Sequence, residues 1–284
     1  MKFAFNKFRF LFVAAFIVVI ANAGCVKDPL TTDIKIVENV GKITTVQMQM
    51  YSMLDHLRKG FDQSILPYGV KKQLIDSNVN EHSKTYLIDF KKGLLCGDYI
   101  TRKGILVYKH VVDPLRDIDS IICDLNFSDF GILTENGTIN IRGNYYIVKV
   151  SPLLDNVSSN ISIKQNDSLI VNADQWVGVK RLLANPTVVS PNDGFQFDGG
   201  IYNVLIRESF SNLYLFDVKV SKCEKLPYAA NFPEVGKLFC ESVPVSNDFK
   251  QIIAVIDFDP LVDSKQDKIA KATSGNSEWY FEIQ

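Results

Sequence analysis

Histidine is scarce in this chain: His56, His82 and His110 are the only three among 284 residues. None belongs to a His-Glu-x-x-His pair, and no Gly-x-Ser-x-Gly elbow, phosphate-cradling glycine loop or dinucleotide fingerprint occurs. A Ser or Cys hydrolase would have to recruit one of these imidazoles through tertiary structure alone. An excess of charge of one sign is also missing, since 31 basic and 32 acidic residues leave a net charge of -1 with no long block of either. Phosphate backbones need a concentrated basic face, so nucleic acid is not an expected partner. The five cysteines include no two at metal-knuckle spacing, which argues against a zinc site. No cofactor is expected.

Long apolar runs are equally sparse, and the one that occurs is informative. Lys2, Lys7 and Arg9 precede the unbroken apolar stretch Phe10 to Ala21, and Asn22-Ala23-Gly24 supplies small residues before Cys25. Such a run is too short to span a bilayer comfortably and reads as a secretory signal over residues 1–24. Small residues ending on a cysteine are similar to the bacterial lipobox, with Asn22 where Leu is usual. Cys25 is therefore the expected site of acylation with palmitate-type chains, and residues 25–36, polar and holding Pro29, the expected tether between membrane and domain. If Cys25 carries lipid, Cys96, Cys123, Cys223 and Cys240 remain, and three pairings are open. Cys223 with Cys240 is the preferred disulfide because the loop between them is short and holds Pro227, Pro233 and Gly236. Four buried free thiols are the other reading.

The whole chain is 46% aliphatic and aromatic and 22% charged, the composition of a folded protein, and residues 37–284 are expected to form its globular body. Val40, Ile43, Val46, Met50, Met53, Leu54, Leu57 and Phe61 recur at three- and four-residue steps, predicting one amphipathic helix ending near Gly60. From Lys84 onward short strands dominate, among them Lys84–Phe90, Gly104–His110, Asp119–Phe127, Thr138–Val150, Gly200–Arg207, Gly236–Val245 and Gln251–Phe258. Turn residues such as Asn136-Gly137 and Pro191-Asn192-Asp193-Gly194 separate them. Asp174 to Ala184 is the one later stretch whose Trp176, Val179 and Leu182 spacing fits a helix. Many strands without alternating helices predict a mainly β fold, a two-sheet sandwich or related barrel carrying one N-terminal amphipathic helix.

Two segments look alike. Ile88-Asp89-Phe90 and Ile256-Asp257-Phe258 each close an apolar strand, which points to two related β units, about 84–150 and 200–284. An Asp at such a place can accept backbone N–H bonds from the loop it introduces. Asp89 and Asp257 are also candidates, by virtue of the repeat, for a glycosidase pair. Asp257, Asp259, Asp263 and Asp267 share one acidic loop that could hold a hard cation, but Leu261 breaks the EF-hand order and Lys265 and Lys268 can neutralise the carboxylates. Tyr145-Tyr146, Tyr202, Tyr214 and Tyr280 lie in strands. Exposed together they would form a platform for sugar rings or a protein partner.

Thr85-Tyr86-Leu87-Ile88-Asp89-Phe90, followed by Gly93, Cys96, Asp98, Arg102, Gly104 and Ile105, resembles the strand pair of a family of β-rich lipoproteins of Bacteroidota. The closing Ile256-Asp257-Phe258 resembles the family's last segment, with Val262 where the family tends to carry cysteine. The resemblance implies lipidation, residence at the outer membrane on its periplasmic side or at the cell surface, and a β-rich fold. It carries over no catalytic residue. A noncatalytic binding or envelope-structural role is the resulting expectation, its partners the membrane and a glycan or envelope protein, with a glycan-active hydrolase using paired carboxylates as the alternative.

Overall fold

The computed structural model describes residues 29–284 apart from 127, 136, 166–168, 208–212, 228–232, 244–250, 261–268 and 283–284. The chain divides between Ile36 and Val37 into two units. Of the first unit only the helical residues from Pro29 are described, and the sheet lies wholly within the second, Val37–Gln284.

Helix α1 runs Pro29–Lys59, so the stretch expected as a tether is helical from Pro29 onward. Proline suits a first helical turn because its missing N–H would have no intrahelical partner there. Gly60 ends the helix at φ +79°, the left-handed conformation that glycine takes without steric cost. A single turn, α2 (Asp62–Ile65), comes next. Sixteen strands then form one hydrogen-bonded sheet in which every pairing is antiparallel. The main path comprises β1 (Gln73–Asn78), β2 (Ser83–Asp89), β5 (Ile105–Asp113), β6 (Ile118–Asp124), β8 (Gly137–Ser151), β9 (Leu154–Gln165) and β10 (Leu169–Leu182). It continues through β11 (Gly194–Arg207), β12 (Leu213–Lys225), β13 (Val235–Ser242), β14 (Ile253–Asp257), β15 (Ile269–Ser274) and β16 (Ser277–Glu282). Short strands β3 (Leu94–Leu95), β4 (Thr101–Lys103) and β7 (Gly131–Thr134) form a side ladder that joins β8. The protein is mainly β.

Alternation along the long strands assigns the two faces. In β8, Ile139, Ile141, Tyr145 and Ile147 are buried while Arg142, Tyr146 and Val148 are exposed. In β10, the stretch whose spacing fits a helix, Val177, Val179 and Arg181 are buried and Trp176 and Lys180 exposed. That segment is a strand, because period-two burial across neighbours β9 and β11 outweighs a marginal three-residue spacing.

The helix differs from expectation in one respect. It is not amphipathic against solvent: Thr44, Thr45, Gln47 and Asp55 are as buried as Val40, Ile43 and Leu54. Its contacts explain this. Tyr145 of β8, Ser159 of β9, Arg181 of β10 and Phe195 of β11 all reach it, and Ile256 of β14 and Phe281 of β16 crowd Gly41. Strands from the middle and the far end of the sheet thus meet one helix that is buried nearly all round. Buried Thr44 and Thr45 donate to the carbonyls of Val40 and Gly41 at 2.9 and 3.0 Å, so their hydroxyls need no other partner.

Candidate functional site

The expected site residues fall into separate places. Cys25, the acylation candidate, lies outside the described residues, as do Asp263 and Asp267. Asp89 and Asp257 are turn-makers: Asp89 Oδ1 accepts the Lys91 N–H at 2.7 Å and Asp257 Oδ1 the Asp259 N–H at 3.1 Å. The second carboxylate oxygen of Asp257 meets Lys237 Nζ at 2.9 Å. Around each Asp the apolar neighbours are buried, and the next residue's N–H donates to a glycine carbonyl, Phe90 to Gly104 at 2.8 Å and Phe258 to Gly236 at 3.0 Å. A third copy closes β6. Asp124 Oδ1 accepts the Asn126 N–H at 2.9 Å and Leu125 donates to Gly143 at 2.8 Å. All three glycines have positive φ. The similarity of the two Ile-Asp-Phe segments is therefore a repeated way of ending a strand. Asp259, the other described member of the acidic loop, joins no metal-ligating cluster, and none is present among the described residues.

The preferred disulfide is not formed: Cys96, Cys123, Cys223 and Cys240 are all free and buried. Register is the reason. Cys240 pairs with Val218, whereas Cys223 lies against Gly236. Four residues of strand separate the two positions, about 13 Å at ~3.3 Å per residue, and a disulfide needs Cα atoms within about 7 Å. The Cys223 thiol instead donates to the Lys237 carbonyl at 3.5 Å. Burial pushes the Cys240 thiol up to about 12 and raises Cys123 and Cys223 as well.

Inside the sheet, a charged network absent from the expectations ties strands to helix. Arg58 Nη2 donates to Asp55 at 2.6 Å and also to Asp155 of β9. Arg181 of β10 pairs with Asp55 and reaches Asp193 at 3.2 Å. Tyr51 donates to Asp155 at 2.7 Å and packs edge-on to Phe195 and Phe197 at 5.1 and 5.3 Å. Asp193 also accepts from Ala184 N, Ser190 N and Ser190 Oγ at 3.0 to 3.2 Å, closing the β10–β11 loop over the network. Burial works against ionisation of Asp55, but the two guanidiniums outweigh it and hold the carboxyl below its ordinary range. Burial, then the neighbouring carboxylates, keep Tyr51 a neutral hydroxyl donor. Every charge here has an opposite partner. The network is a positioning device and offers no free acid or base.

Beside it opens a cleft of about 290 Å³. His56 and Ser52 of α1, Ser64, the Asp98-Tyr99 turn, Asn192 and Lys225 bound it. Both ring nitrogens of His56 face carbonyl oxygens, Ser52 at 2.7 Å and Pro191 at 3.1 Å.

On the outer face of the sheet the exposed aromatics fall in register. Tyr146 pairs with Ser158, Ser158 with Trp176, and Trp176 with Gly200. The Tyr202 ring lies over Gly200, with Cζ and Oη 2.4 Å from where a Cβ would sit. An irregularity in the pairing of β11 between Ile201 and Val204 re-aims Tyr202 along the face in this way. Trp176 is 69% exposed, Tyr202 45% and Tyr146 38%. One step along the strands runs a polar row: Asp124 pairs with Asn144, Asn144 with Asn160, and Asn160 with Asp174. Asn160 donates to Asp174, as does Asn203 at 2.9 Å. Of the tyrosines expected in strands, Tyr145 is buried, Tyr146 and Tyr202 join this face, and Tyr280 is exposed on β16. The helical spacing of its segment conceals Trp176 in the sequence.

No described helix is long and apolar enough to cross a membrane. No family model, curated protein or solved structure matches the chain.

Proposed function

We propose that the chain is a lipid-anchored outer-membrane protein of the Bacteroidota type with a noncatalytic binding role, and that the outer sheet face carries that role by taking a glycan. The row Tyr146–Trp176–Tyr202 supports this reading. Flat rings exposed in one cross-strand row offer apolar faces to the C–H faces of sugars, and large exposed apolar patches mark interaction sites. The parallel Asn/Asp row supplies donors and acceptors for hydroxyls within two residues along each strand. With both Asp89 and Asp257 committed to turns, the observations favour binding over glycoside cleavage. The matching fold reading is barrel-related, a sheet curved about α1, because strands far apart in the order contact one helix that is buried nearly all round. Acylation at Cys25 with several chains would make attachment effectively permanent.

A glycan array followed by calorimetry on the best hit tests the reading. Trp176→Ala is expected to weaken binding on the order of tenfold or more with an unchanged melting temperature, and Cys25→Ser to move the protein from the envelope to the soluble fraction. Absence of any glycan hit, or full affinity in Trp176→Ala, overturns the sheet-face reading. Envelope retention of Cys25→Ser overturns the anchor.

A further inference from the structure

Lys225, at the end of β12, is only 8% exposed, yet among the described residues its ammonium makes a single polar contact, to the Asp193 carbonyl at 3.4 Å. An ammonium carries three donors, and a buried cation is costly unless it is hydrogen-bonded and paired. Glu234, the buried acid that attracts it most strongly, accepts from Leu226 N at 2.8 Å and fills none of those donors. Asp98 is held by both terminal nitrogens of Arg102 at 2.7 and 2.6 Å. Asp193 is taken by Arg181 and the Ser190 turn, and no carboxylate makes an ion pair with Lys225 among the described residues. Lys225 opens onto the cleft bounded by Asn192, Ser52, Ser64 and Tyr99.

The cleft is also built to stay open. Gly97 packs so closely that a Cβ there would lie 2.3 Å from the Ser64 carbonyl oxygen, which fixes the β3–β4 turn against α2. Tyr99 sits two residues on at φ +62° and 75% exposure, a left-handed conformation that a bulky residue adopts only under constraint. It stands at the rim with its ring uncovered.

From these observations we propose that the cleft binds a small hydroxylated acid, its carboxylate or phosphate group on Lys225, its hydroxyls on Asn192, Ser52 and Ser64, and its ring edge against Tyr99. A volume of about 290 Å³ lies near the lower bound for ligand pockets and suits one sugar-sized unit. His56 lines the wall, its two ring nitrogens facing the Ser52 and Pro191 carbonyls. Burial lowers the proton affinity of Lys225, and an anion beside it would offset that cost. This site is independent of the outer-face reading.

Calorimetry on the full chain with glucuronate, glucose 6-phosphate and uncharged glucose as probes tests it. Binding of either acid at least tenfold tighter than glucose is expected, and the preferred acid identifies the carboxylate or the phosphate as the recognised group. Lys225→Met should abolish that preference while Trp176→Ala leaves it intact. Should Lys225→Met fail to fold, the rim variants Tyr99→Ala and Asn192→Ala serve instead, each weakening the acid severalfold. Equal binding of glucose and the acids, binding of none, acid preference surviving in Lys225→Met, or undiminished acid affinity in both rim variants overturns the proposal.

Discussion

Asp55 is the residue on which the interior turns, because its two oxygens meet two guanidiniums, Arg58 on its own helix and Arg181 on β10. Removing one member of a buried ion network costs more than the network contributes, since the partners stay buried and uncompensated. Asp55→Asn is therefore expected to lose about 3 to 5 kcal/mol of stability, read as a lower urea midpoint at unchanged slope. The pH dependence has a definite sign. The folded pKa of Asp55 lies below its unfolded value, so its contribution is complete above the unfolded carboxylate range near pH 4. It is lost as pH falls through the lower folded value. Acid unfolding of the native protein should accordingly be steepest below pH 4, and Asp55→Asn should flatten that limb. An equally steep limb in the variant would show that other carboxylates govern it. In sequence, Asp55 and Arg58 look like any solvated pair three residues apart on a helix. Only the tertiary arrangement brings Asp155, Arg181 and Asp193 to them, which is why the network is not legible in the sequence.

Elements are legible wherever one face is apolar and the other wet. β8 alternates cleanly, and its expected span Thr138–Val150 lies wholly within the observed Gly137–Ser151; β2 and β5, with longer half-buried stretches, are placed to within three residues. β10 is obscured because its inward set includes Gln175 and Arg181 while its outward set includes Trp176. Swapping polar and apolar partners across a strand erases the period-two pattern and leaves an accidental helical spacing. β1 is hidden for the opposite reason: as the edge of the sheet with nearly every residue exposed, it has no inward face to write into the sequence. The helix is readable but its surroundings are not. An amphipathic pattern predicts one buried side, and here the polar side is buried against the polar inward residues of β9 and β10. Asp89 and Asp257 belong to the same lesson. Their position at strand ends is readable, whereas the choice between turn-making and chemistry rests on hydrogen bonds that arise only in three dimensions.

At the scale of the whole molecule, the helix and the strands share one interior, so local opening of one part should expose the others. The four described thiols sample this directly. Cys96 sits by the β3–β4 turn, Cys123 on β6, Cys223 on β12 and Cys240 on β13, and all are buried and unpaired. A reductant is thus expected to leave the melting temperature unchanged, a distinctive result for a chain read as exported, where structural disulfides are common. In a Cys25→Ser protein, a thiol reagent followed by mass spectrometry should modify Cys123, Cys223 and Cys240 together, at a rate that follows global unfolding as urea rises. The thiolate is the reactive form, and burial disfavours it at each of these three positions until the sheet opens. Earlier labelling of Cys223 and Cys240 than of Cys123 would mean that the C-terminal strands peel from α1 as a separate unit, and the sheet would then not be one cooperative body.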